Sequence, residues 1–473
     1  MVMLSRSVAL SVSLTRKVFS GFFFTQFNHA RNCSPYLDAS LGPQFAVSGC
    51  PAPNLTNGLL PLAPLGVATR VAHRYFVENP DRGVPYAPIA VMIPQFHGMG
   101  LGFWDIGFAN GSLTNFSNGP PNDAQAGPWA AGILPYTEDD REMIYLFMLL
   151  FGKSMPTPSA GQQPAGFTSQ TSSDESERLV NLRHPDMFDV LVPDRTAPYP
   201  NGLDDVLDAY RVVVLTGDVL LEAPGSSVGD PRALPRAMWR WIRRGGVVLI
   251  HGRAVIANKL SANETGLELG ARHNISCVRS TLSNGTALRD NARTVETYEA
   301  RLSPATRVLA ELHDDAGQRH PAVTSFEPPG AESNGGKIVT VLPPRSSDLE
   351  AFGLLDWAIA QLVEDVTPFR VVRGSAELIL ARNAAGWRIT VINNLGVTKE
   401  CTYAADWPHG GCTPDQVDAS QRQTIEIAWD ARYGALRSAR ELVTGTKLQV
   451  GGGPTVVVSV PAGDVRVVSL VLG

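Results

Sequence analysis

The chain has 473 residues, which is enough for two or three domains with buried cores. Its formal net charge is −5, and 40 basic residues are dispersed among 45 acidic ones, which argues against a protein that binds nucleic acid. No run of about 18 apolar residues occurs, so the sequence predicts no membrane span.

The first 35 residues contain no acidic side chain and carry four basic ones, Arg6, Arg16, Lys17 and Arg31. The apolar stretch VALSVSLT is typical of a signal peptide, whereas the content of Arg and Ser is equally typical of an organellar transit peptide. A third interpretation is that the chain lacks an upstream part. We therefore treat 1–35 as a leader or a disordered N-terminus.

Cysteines and glycosylation sequons bear on the compartment. Cys401 and Cys412 are spaced to close a loop between two strands under oxidising conditions, and the odd number of five leaves at least one thiol free. No metal-binding spacing of Cys and His occurs, so we expect neither a metal nor a cofactor. Six Asn-x-Ser/Thr sequons after residue 35 exceed the roughly two or three expected by chance and favour the secretory route. They lie at Asn54, Asn110, Asn115, Asn263, Asn274 and Asn284.

The first predicted elements surround a loop with an unusual composition. A helical pattern over 65–79 ends at Pro80 and Gly83, and 90–93 predicts a strand. The following loop, 94–122, contains QFHGMGLGFWDIGFANG, which mixes five glycines with aromatic side chains. Such a loop after a parallel strand is typical of a site for a sugar or another flat ligand, but the same aromatic residues would also pack beneath a long loop.

Weaker patterns follow, and then the strongest pattern of the chain. We predict a helix over 138–150, an exposed or disordered Ser- and Gln-rich loop over 153–178, a strand over 188–192 and a helix over 203–209. Val212–Leu215 and Val247–Ile250 read as strands buried on both faces. Between them, apolar residues at offsets of three and four line one face of a helix that ends at Gly245 and Gly246. These apolar residues are Leu234, Ala237, Met238, Trp241 and Ile242.

A β-α-β unit of this kind places its ligands beyond the carboxyl ends of the parallel strands. The predicted site therefore lies at the ends of the strands near 93, 215 and 250. The candidate ligand-binding residues are His97, Trp104, Asp105, Asp218, Glu222 and His251.

The C-terminal part of the chain changes character. After weak strand signals from 255, we predict a strand over 337–342, an apolar helix over 349–363 and a domain boundary at Thr367 and Pro368. Short β runs separated by Asn, Gly and Pro then predict a β-sandwich. The whole sequence predicts an α/β fold, namely a flavodoxin-like, mostly parallel sheet with flanking helices, followed by a small all-β sandwich.

Several catalytic motifs are absent from the sequence. It contains no G-x-S-x-G, no P-loop, no G-x-G-x-x-G that opens a helix and no H-E-x-x-H. None of the five cysteines follows a clearly predicted strand, which argues against a glutaminase nucleophile. Glycoside hydrolysis needs two carboxyl groups. Asp105, Asp218 and Glu222 are the nearest candidates, although Asp218 and Glu222 are equally consistent with caps or salt bridges in a solvated loop.

The order of five segments resembles the C-terminal half of large bacterial-type glycosidase-like proteins. The segments are LPLAPLGVATRVAHRYFVENPDRGVPYAPIAVMI, FDVLVP, YRVVVLTGDVLL with RRGGVVLIHG, GWRITVINNLGVTK and VPAGDVRVVSLVL. The resemblance implies that 36–85 is a remnant of the end of a (β/α)8 barrel. It implies that 86–367 is a glutamine-amidotransferase-like domain, similar to the trimerisation domain of beta-galactosidases, and that 368–473 is a β-sandwich.

The catalytic pair of such proteins lies in the barrel, upstream of any matching segment, so no catalytic residue is carried over. Two hypotheses follow. The first is a glycosidase-like accessory or assembly module without its own catalytic barrel. The second is a hydrolase of O-glycosyl bonds in glycans, with its site at the carboxyl ends of the α/β sheet. The resemblance also implies a carbohydrate ligand and a homo-oligomer.

Overall fold

The computed structural model describes two compact units. The mixed-sheet unit contains the described residues of 87–92 and 188–366, and the antiparallel unit contains those of 77–86, 187 and 367–473. The described residues are 77–79, 81, 83–92, 187–191, 203–215, 217, 219–221, 233–331, 334–393, 395, 397–398, 416–450 and 454–473.

Most of the regular structure is β-sheet. In chain order the strands are β1 (Val84–Pro85), β2 (Ile89–Met92), β3 (Phe188–Leu191), β4 (Val212–Leu215), β5 (Val247–His251), β6 (Leu267–Leu282), β7 (Ala287–Leu302), β8 (Arg307–Asp314), β9 (Arg319–Phe326), β10 (Lys337–Val341), β11 (Phe369–Arg373), β12 (Glu377–Asn383), β13 (Gly386–Asn393), β14 (Val397–Thr398), β15 (Gln416–Val417), β16 (Gln423–Trp429), β17 (Leu436–Glu441), β18 (Lys447–Leu448), β19 (Thr455–Val460) and β20 (Asp464–Leu472). The helices are α1 (Leu203–Asp208), α2 (Ala233–Arg243), α3 (Gly252–Ala257), α4 (Ala262–Thr265), α5 (Ser346–Ala351) and α6 (Leu354–Val366). Short 3-10 turns lie at Ala419–Gln421 and Ala431–Tyr433.

The mixed-sheet unit is built on a nine-stranded sheet of order β3-β2-β4-β5-β10-β9-β8-β6-β7. Its first five strands run parallel, and the remaining pairs are antiparallel. All four residues of β2 and of β4 are buried, because a strand covered on both faces has no solvent side. The predicted β-α-β unit is confirmed in β4, α2 and β5.

Helix α2 packs with the apolar face that the sequence predicted. Its five apolar residues at helical spacing are all buried, and Trp241 Nε1 donates to the carbonyl oxygen of Tyr210 at 3.3 Å. On the solvent side, Arg240 Nη2 lies 2.6 Å from Asp204 Oδ2 of α1. That ion pair is exposed to solvent and contributes little to stability, so burial of the apolar face holds the helix in place.

The prediction of a flavodoxin-like, mostly parallel sheet is wrong. Strands β6 and β7 have 16 residues each, against four or five in each parallel strand, and with β8 and β9 they make most of the sheet antiparallel. Many residues of β6 and β7 are polar or charged and are exposed to solvent. Backbone pairing rather than an apolar run therefore defines these two strands, which is why their sequence signal is weak.

The predicted helix over 349–363 is also divided differently. The structure has two helices, α5 and α6, which are separated at Gly353 with φ +68°. A positive φ of this size is favourable for glycine, so the chain changes direction here instead of continuing one helix. Among the described residues, no helix is long and apolar enough to cross a membrane.

The long hairpin of β6 and β7 folds back toward the parallel strands. In the sheet order β7 lies five positions from β5, which in a flat sheet would separate them by about 24 Å. Yet a Cβ added to Gly252, next to the end of β5, would lie 3.0 Å from ring atom Cε2 of Tyr298 in β7. Leu302 also packs on the core of the parallel strands. The sheet therefore curls and carries the second half of β7 to the carboxyl end of β5.

The antiparallel unit consists of short β-sheets in 369–472 together with β1. A six-stranded sheet has the order β1-β12-β13-β20-β17-β18, a three-stranded sheet has the order β11-β16-β19, and β14 pairs with β15. Trp387 of the larger sheet contacts Trp429 of the three-stranded sheet, with ring centroids 5.7 Å apart. Aromatic packing therefore joins these two sheets.

Candidate functional site

Only one of the six predicted ligand-binding residues lies in the described part of the chain. His251 ends β5 and is buried, with 9% of its surface exposed. The other five lie outside the described residues, so their predicted role stays a prediction. They are His97, Trp104, Asp105, Asp218 and Glu222.

The predicted modification sites divide in the same way. Asn54, Asn110 and Asn115 lie outside the described residues, as do Cys401 and Cys412. The remaining three sequon residues are exposed, and they are Asn263, Asn274 and Asn284. Cys277 is a free and buried cysteine. Burial raises the pKa of its thiol to about 12, so the thiolate needed for nucleophilic attack is not populated near neutral pH.

A group of polar side chains converges on Tyr298 where the curled hairpin reaches the carboxyl ends of β5 and β10. A Cβ on Gly252 would lie 3.0 Å from the carbonyl oxygen of Leu342 and equally close to the Tyr298 ring, so glycine permits this approach of three segments. We call the group the Tyr298 site. It comprises Gly252, Arg253, Arg272, Glu296, Tyr298 and Arg345.

Tyr298 is the buried centre of this site, with 4% of its surface exposed. The guanidinium carbon of Arg272, its partner across the hairpin, lies 5.4 Å from the centre of the ring, which is a cation–π distance. Burial raises the pKa of Tyr298, and the positive charges of Arg272 and Arg253 oppose that rise. Arg272 also acts as a hydrogen-bond donor toward the phenol oxygen, and within the described part of the chain no group accepts a hydrogen bond from the phenol O–H.

Glu296 lies two residues before Tyr298 on the same strand and therefore on the same face of the hairpin. Its Oε2 atom lies 3.8 Å from Arg272 Nη1 and 3.6 Å from Arg345 Nε. Both distances exceed the 2.7–3.2 Å of a good N–H···O hydrogen bond. Two guanidinium groups thus share one carboxylate oxygen loosely, and many of their N–H donors remain available to a ligand.

Asp348, which lies in helix α5, binds the edge strand β7. Its Oδ1 atom lies 2.8 Å from Arg293 Nη2, and its carboxylate accepts a hydrogen bond from the backbone N–H of Glu296. The residue is buried, with 3% of its surface exposed. Burial raises the pKa of Asp348, although the charges of Arg293 and Arg345 oppose that rise. Asp348 therefore positions Glu296 and the arginines around it.

Replacing Asp348 with alanine is expected to lower the free energy of unfolding by about 1–3 kcal/mol, because the backbone N–H of Glu296 loses its acceptor. Asp348→Asn keeps an oxygen acceptor and removes a buried charge, so we expect a smaller loss. Urea unfolding followed by circular dichroism measures both values. A loss for Asp348→Asn as large as that for Asp348→Ala would contradict this role for the carboxyl group.

The difference in stability between the wild type and Asp348→Asn is expected to depend on pH. Because the pKa of Asp348 is raised in the folded state, its contribution is fully present below the ordinary value of 3.8 and is lost as the pH rises through the folded value. We therefore expect the wild type to lose stability relative to Asp348→Asn between acidic and neutral pH. A difference between the two proteins that stays constant with pH would contradict the raised pKa.

A second cluster of polar side chains in the mixed-sheet unit stabilises the turn between β8 and β9. Asp314 Oδ2 lies 3.0 Å from His320 Nε2, and Asp314 Oδ1 accepts a hydrogen bond from the backbone N–H of Gln318 at 2.7 Å. These contacts, led by the one to His320, lower the pKa of Asp314. No group of three or more His, Cys, Asp or Glu residues in the described ranges is arranged to hold a metal ion.

Sequence reasoning missed most of the Tyr298 site. Arg272, Glu296 and Tyr298 lie in a segment where we expected only weak strands, and Arg345 lies in the loop between two predicted elements. One local signal was available, because Asn284 and Gly285 form the dipeptide that most often turns a β-hairpin. A regular hairpin centred there would place Arg272 opposite Thr297, and register shifts along the hairpin bring Arg272 opposite Tyr298 in the structure.

Comparisons with known proteins give distant structural similarity only. No family model matches the sequence, and no curated protein matches it. One similar solved structure is a catalytic mutant of a GH42 beta-galactosidase from G. stearothermophilus, with 11% identity, a TM-score of 0.42, and coverage of 86% of this chain and 44% of that one. The beta-galactosidase from Rahnella sp. R3 has 10% identity, a TM-score of 0.42 and coverage of 86% and 44%.

A third solved structure, a cytoplasmic protein from Salmonella typhimurium, has 13% identity and a TM-score of 0.28, and the match covers 37% of this chain and 79% of that one. The chain spans less than half the length of the two beta-galactosidases. The domain assignments implied by the glycosidase-like resemblance stay a prediction. Distant structural similarity to beta-galactosidases is thus found alongside that resemblance, and it assigns no activity to this chain.

Proposed function

We propose that this chain is a glycosidase-related accessory or assembly module, which binds carbohydrate or supports a carbohydrate-active enzyme without hydrolysing glycosidic bonds itself. The observation that carries this proposal is that the carboxylates at the carboxyl end of the sheet are paired with groups of the protein itself. Glu296 is paired with two arginines, and Asp348 is paired with Arg293 and with a backbone N–H.

Glycoside hydrolysis requires a carboxylic acid and a carboxylate that face the two sides of the scissile bond. A carboxylate that is paired with guanidinium groups or a backbone N–H is directed at the protein instead of a substrate. Glu296 and Asp348 are therefore suited to fix arginines in position. Arginines held in this way are suited to binding a ligand.

The alternative is a glycan hydrolase with its site at the carboxyl ends of the sheet. One observation favours it, because burial raises the pKa of Asp348, and a general acid needs a raised pKa. In this alternative Asp348 would act with one of the predicted carboxylates Asp105, Asp218 and Glu222.

The experiment that separates the two proposals measures binding and hydrolysis of a panel of oligosaccharides by the full chain. Release of reducing ends is followed for the wild type, for Asp348→Asn and for the double variant Trp104→Ala, Asp105→Ala. We expect binding without hydrolysis by the wild type. Hydrolysis that either variant loses would contradict the accessory role and establish the alternative.

We also propose that the chain follows the secretory route and carries N-linked glycans. The exposure of Asn263, Asn274 and Asn284 supports this proposal, because an acceptor asparagine must be accessible. Expression in a secreting eukaryotic cell, followed by enzymatic removal of N-glycans, should lower the mass of the protein. An unchanged mass would favour the organellar alternative.

The predicted Cys401–Cys412 disulfide and the homo-oligomer implied by the resemblance remain part of this proposal. Mass spectrometry of peptides prepared without reduction tests the disulfide, and light scattering in solution tests the oligomer. Separate Cys401 and Cys412 peptides would contradict the disulfide, and the mass of a single chain would contradict the homo-oligomer.

A further inference from the structure

We infer that the Tyr298 site binds the acidic group of an acidic saccharide, namely the sulfate of a sulfated sugar. This inference rests on the proposed carbohydrate function for the sugar part of the ligand and adds the class of sugar. The anionic part rests on the arrangement of Arg272, Arg345 and Tyr298.

The two arginines are placed to bind an anion between them. Arg272 and Arg345 come from different parts of the fold, one from β6 and one from the segment after β10, and both point at Glu296 Oε2. Their side chains are 48% and 54% exposed, so a ligand from solvent can reach them. Each guanidinium group has five N–H donors, and one shared carboxylate oxygen leaves most of them for a planar or tetrahedral anion.

Tyr298 adds a donor that a ligand would satisfy. Its hydroxyl oxygen is buried, and among the residues that the structure describes none accepts a hydrogen bond from the O–H, because the neighbouring Arg272 can only donate. A buried polar group without a partner is destabilising, so a partner supplied by a ligand improves the energy of the complex. The phenol is neutral near pH 7, because burial raises its pKa, and a neutral phenol donates to an anionic oxygen.

Glu296 supplies the polar contact that distinguishes a sugar from a simple anion. Arg272 and Arg345 approach its Oε2 atom at 3.8 Å and 3.6 Å, so neither guanidinium group saturates the carboxylate. A carboxylate oxygen beside two arginines is an acceptor for a sugar hydroxyl next to the acidic group. The donors and the acceptor together match an acidic saccharide.

The experiment measures the affinity of the full chain for three probes: a sulfated oligosaccharide, its uncharged parent and inorganic sulfate. The protein is produced in bacteria, so that no N-linked glycan competes with the added saccharide. The variants are Arg272→Gln, Arg345→Gln and Tyr298→Phe. Arg307→Gln is the matched control, since Arg307 is 72% exposed and pairs with Glu327 at the other end of the sheet.

We expect saturable binding of the sulfated oligosaccharide, weakened about tenfold or more by either arginine variant and unchanged by Arg307→Gln. Added salt should weaken this binding, because the contact is between charges. Tyr298→Phe should be about as stable as the wild type, because it removes a buried O–H that has no acceptor while Arg272 keeps its contact with Glu296, and it should still weaken binding several-fold. This variant separates loss of the site from loss of folding.

Three outcomes would overturn the inference. The first is absence of binding of the sulfated oligosaccharide, and the second is equal binding by the wild type and both arginine variants. The third is inorganic sulfate that binds as tightly as the sulfated sugar, which would make the site one for simple anions. If one of these outcomes is found together with binding of the uncharged parent, the inference fails while the proposed carbohydrate function stands.

Discussion

Replacing Trp387 with alanine is expected to lower the free energy of unfolding by about 3–5 kcal/mol, as for other large aromatic residues in cores. The side chain is 2% exposed, and its ring meets those of Tyr86, Trp429 and Tyr433 at centroid distances of 4.8, 5.7 and 6.1 Å. All three contacts are edge-on, which is the favourable arrangement for aromatic pairs. Removal of the ring leaves a cavity between the six-stranded and three-stranded sheets.

A matched control for Trp387→Ala is Val457→Ala in β19 of the same unit. Val457 is 46% exposed, so its truncation should cost about 0.5 kcal/mol or less. Circular dichroism during urea unfolding compares the two variants without relying on tryptophan fluorescence. Equal losses for Trp387→Ala and Val457→Ala would show that the aromatic cluster does not hold the two sheets together.

The second large effect is expected for Gly336→Ala, at about 3 kcal/mol. A Cβ on Gly336 would overlap the backbone carbonyl oxygen of Ile242, close to the end of α2. A backbone atom cannot move aside as the end of a side chain can, so either α2 or the start of β10 has to shift. The substitution therefore disturbs the packing of helix α2 on the parallel strands.

The neighbouring Gly335 provides the control for Gly336→Ala. A Cβ on Gly335 would meet no atom within 4 Å, but its φ of +72° is unfavourable for alanine. We expect Gly335→Ala to cost only about 1 kcal/mol, from backbone strain alone. If Gly335→Ala destabilises the protein more than Gly336→Ala, steric overlap with Ile242 does not determine the effect.

The central β-α-β unit was predictable because its signals are local. Val212–Leu215 is an uninterrupted apolar run, and the apolar residues of α2 recur at helical spacing beside Gly245 and Gly246. Burial on both faces of a strand and on one face of a helix imposes these patterns directly on the sequence. The strands therefore appear within about one residue of the predicted bounds.

The mixed character of the sheet was not predictable in the same way. The segments that form β6 and β7 carry charged side chains on exposed faces, and their long pairing is fixed by backbone hydrogen bonds that any sequence can make. Only Asn284 and Gly285 marked the turn between them. The predicted fold class was wrong because the buried apolar runs of the parallel strands give a strong local signal, whereas the polar hairpin of β6 and β7 gives a weak one.

The Tyr298 site depends on the curl of the sheet, which no short segment encodes. Gly252, Tyr298 and Arg345 are each separated by more than forty positions in the chain, and they meet only when the hairpin folds back to the end of β5. The sequence predicts a site at the carboxyl ends of the parallel strands, and the proposed Tyr298 site lies at the ends of β5 and β10. The sequence did not indicate that residues of the antiparallel strands would reach that place.

The most direct test of an accessory role with a binding site is one titration of the full chain with a sulfated oligosaccharide, in which bound ligand and released products are measured in the same sample. Our account predicts saturable binding that depends on Arg272 and Arg345, with the oligosaccharide recovered intact. Cleavage of the bound oligosaccharide that Asp348→Asn abolishes would contradict the accessory role and assign the chain as a hydrolase.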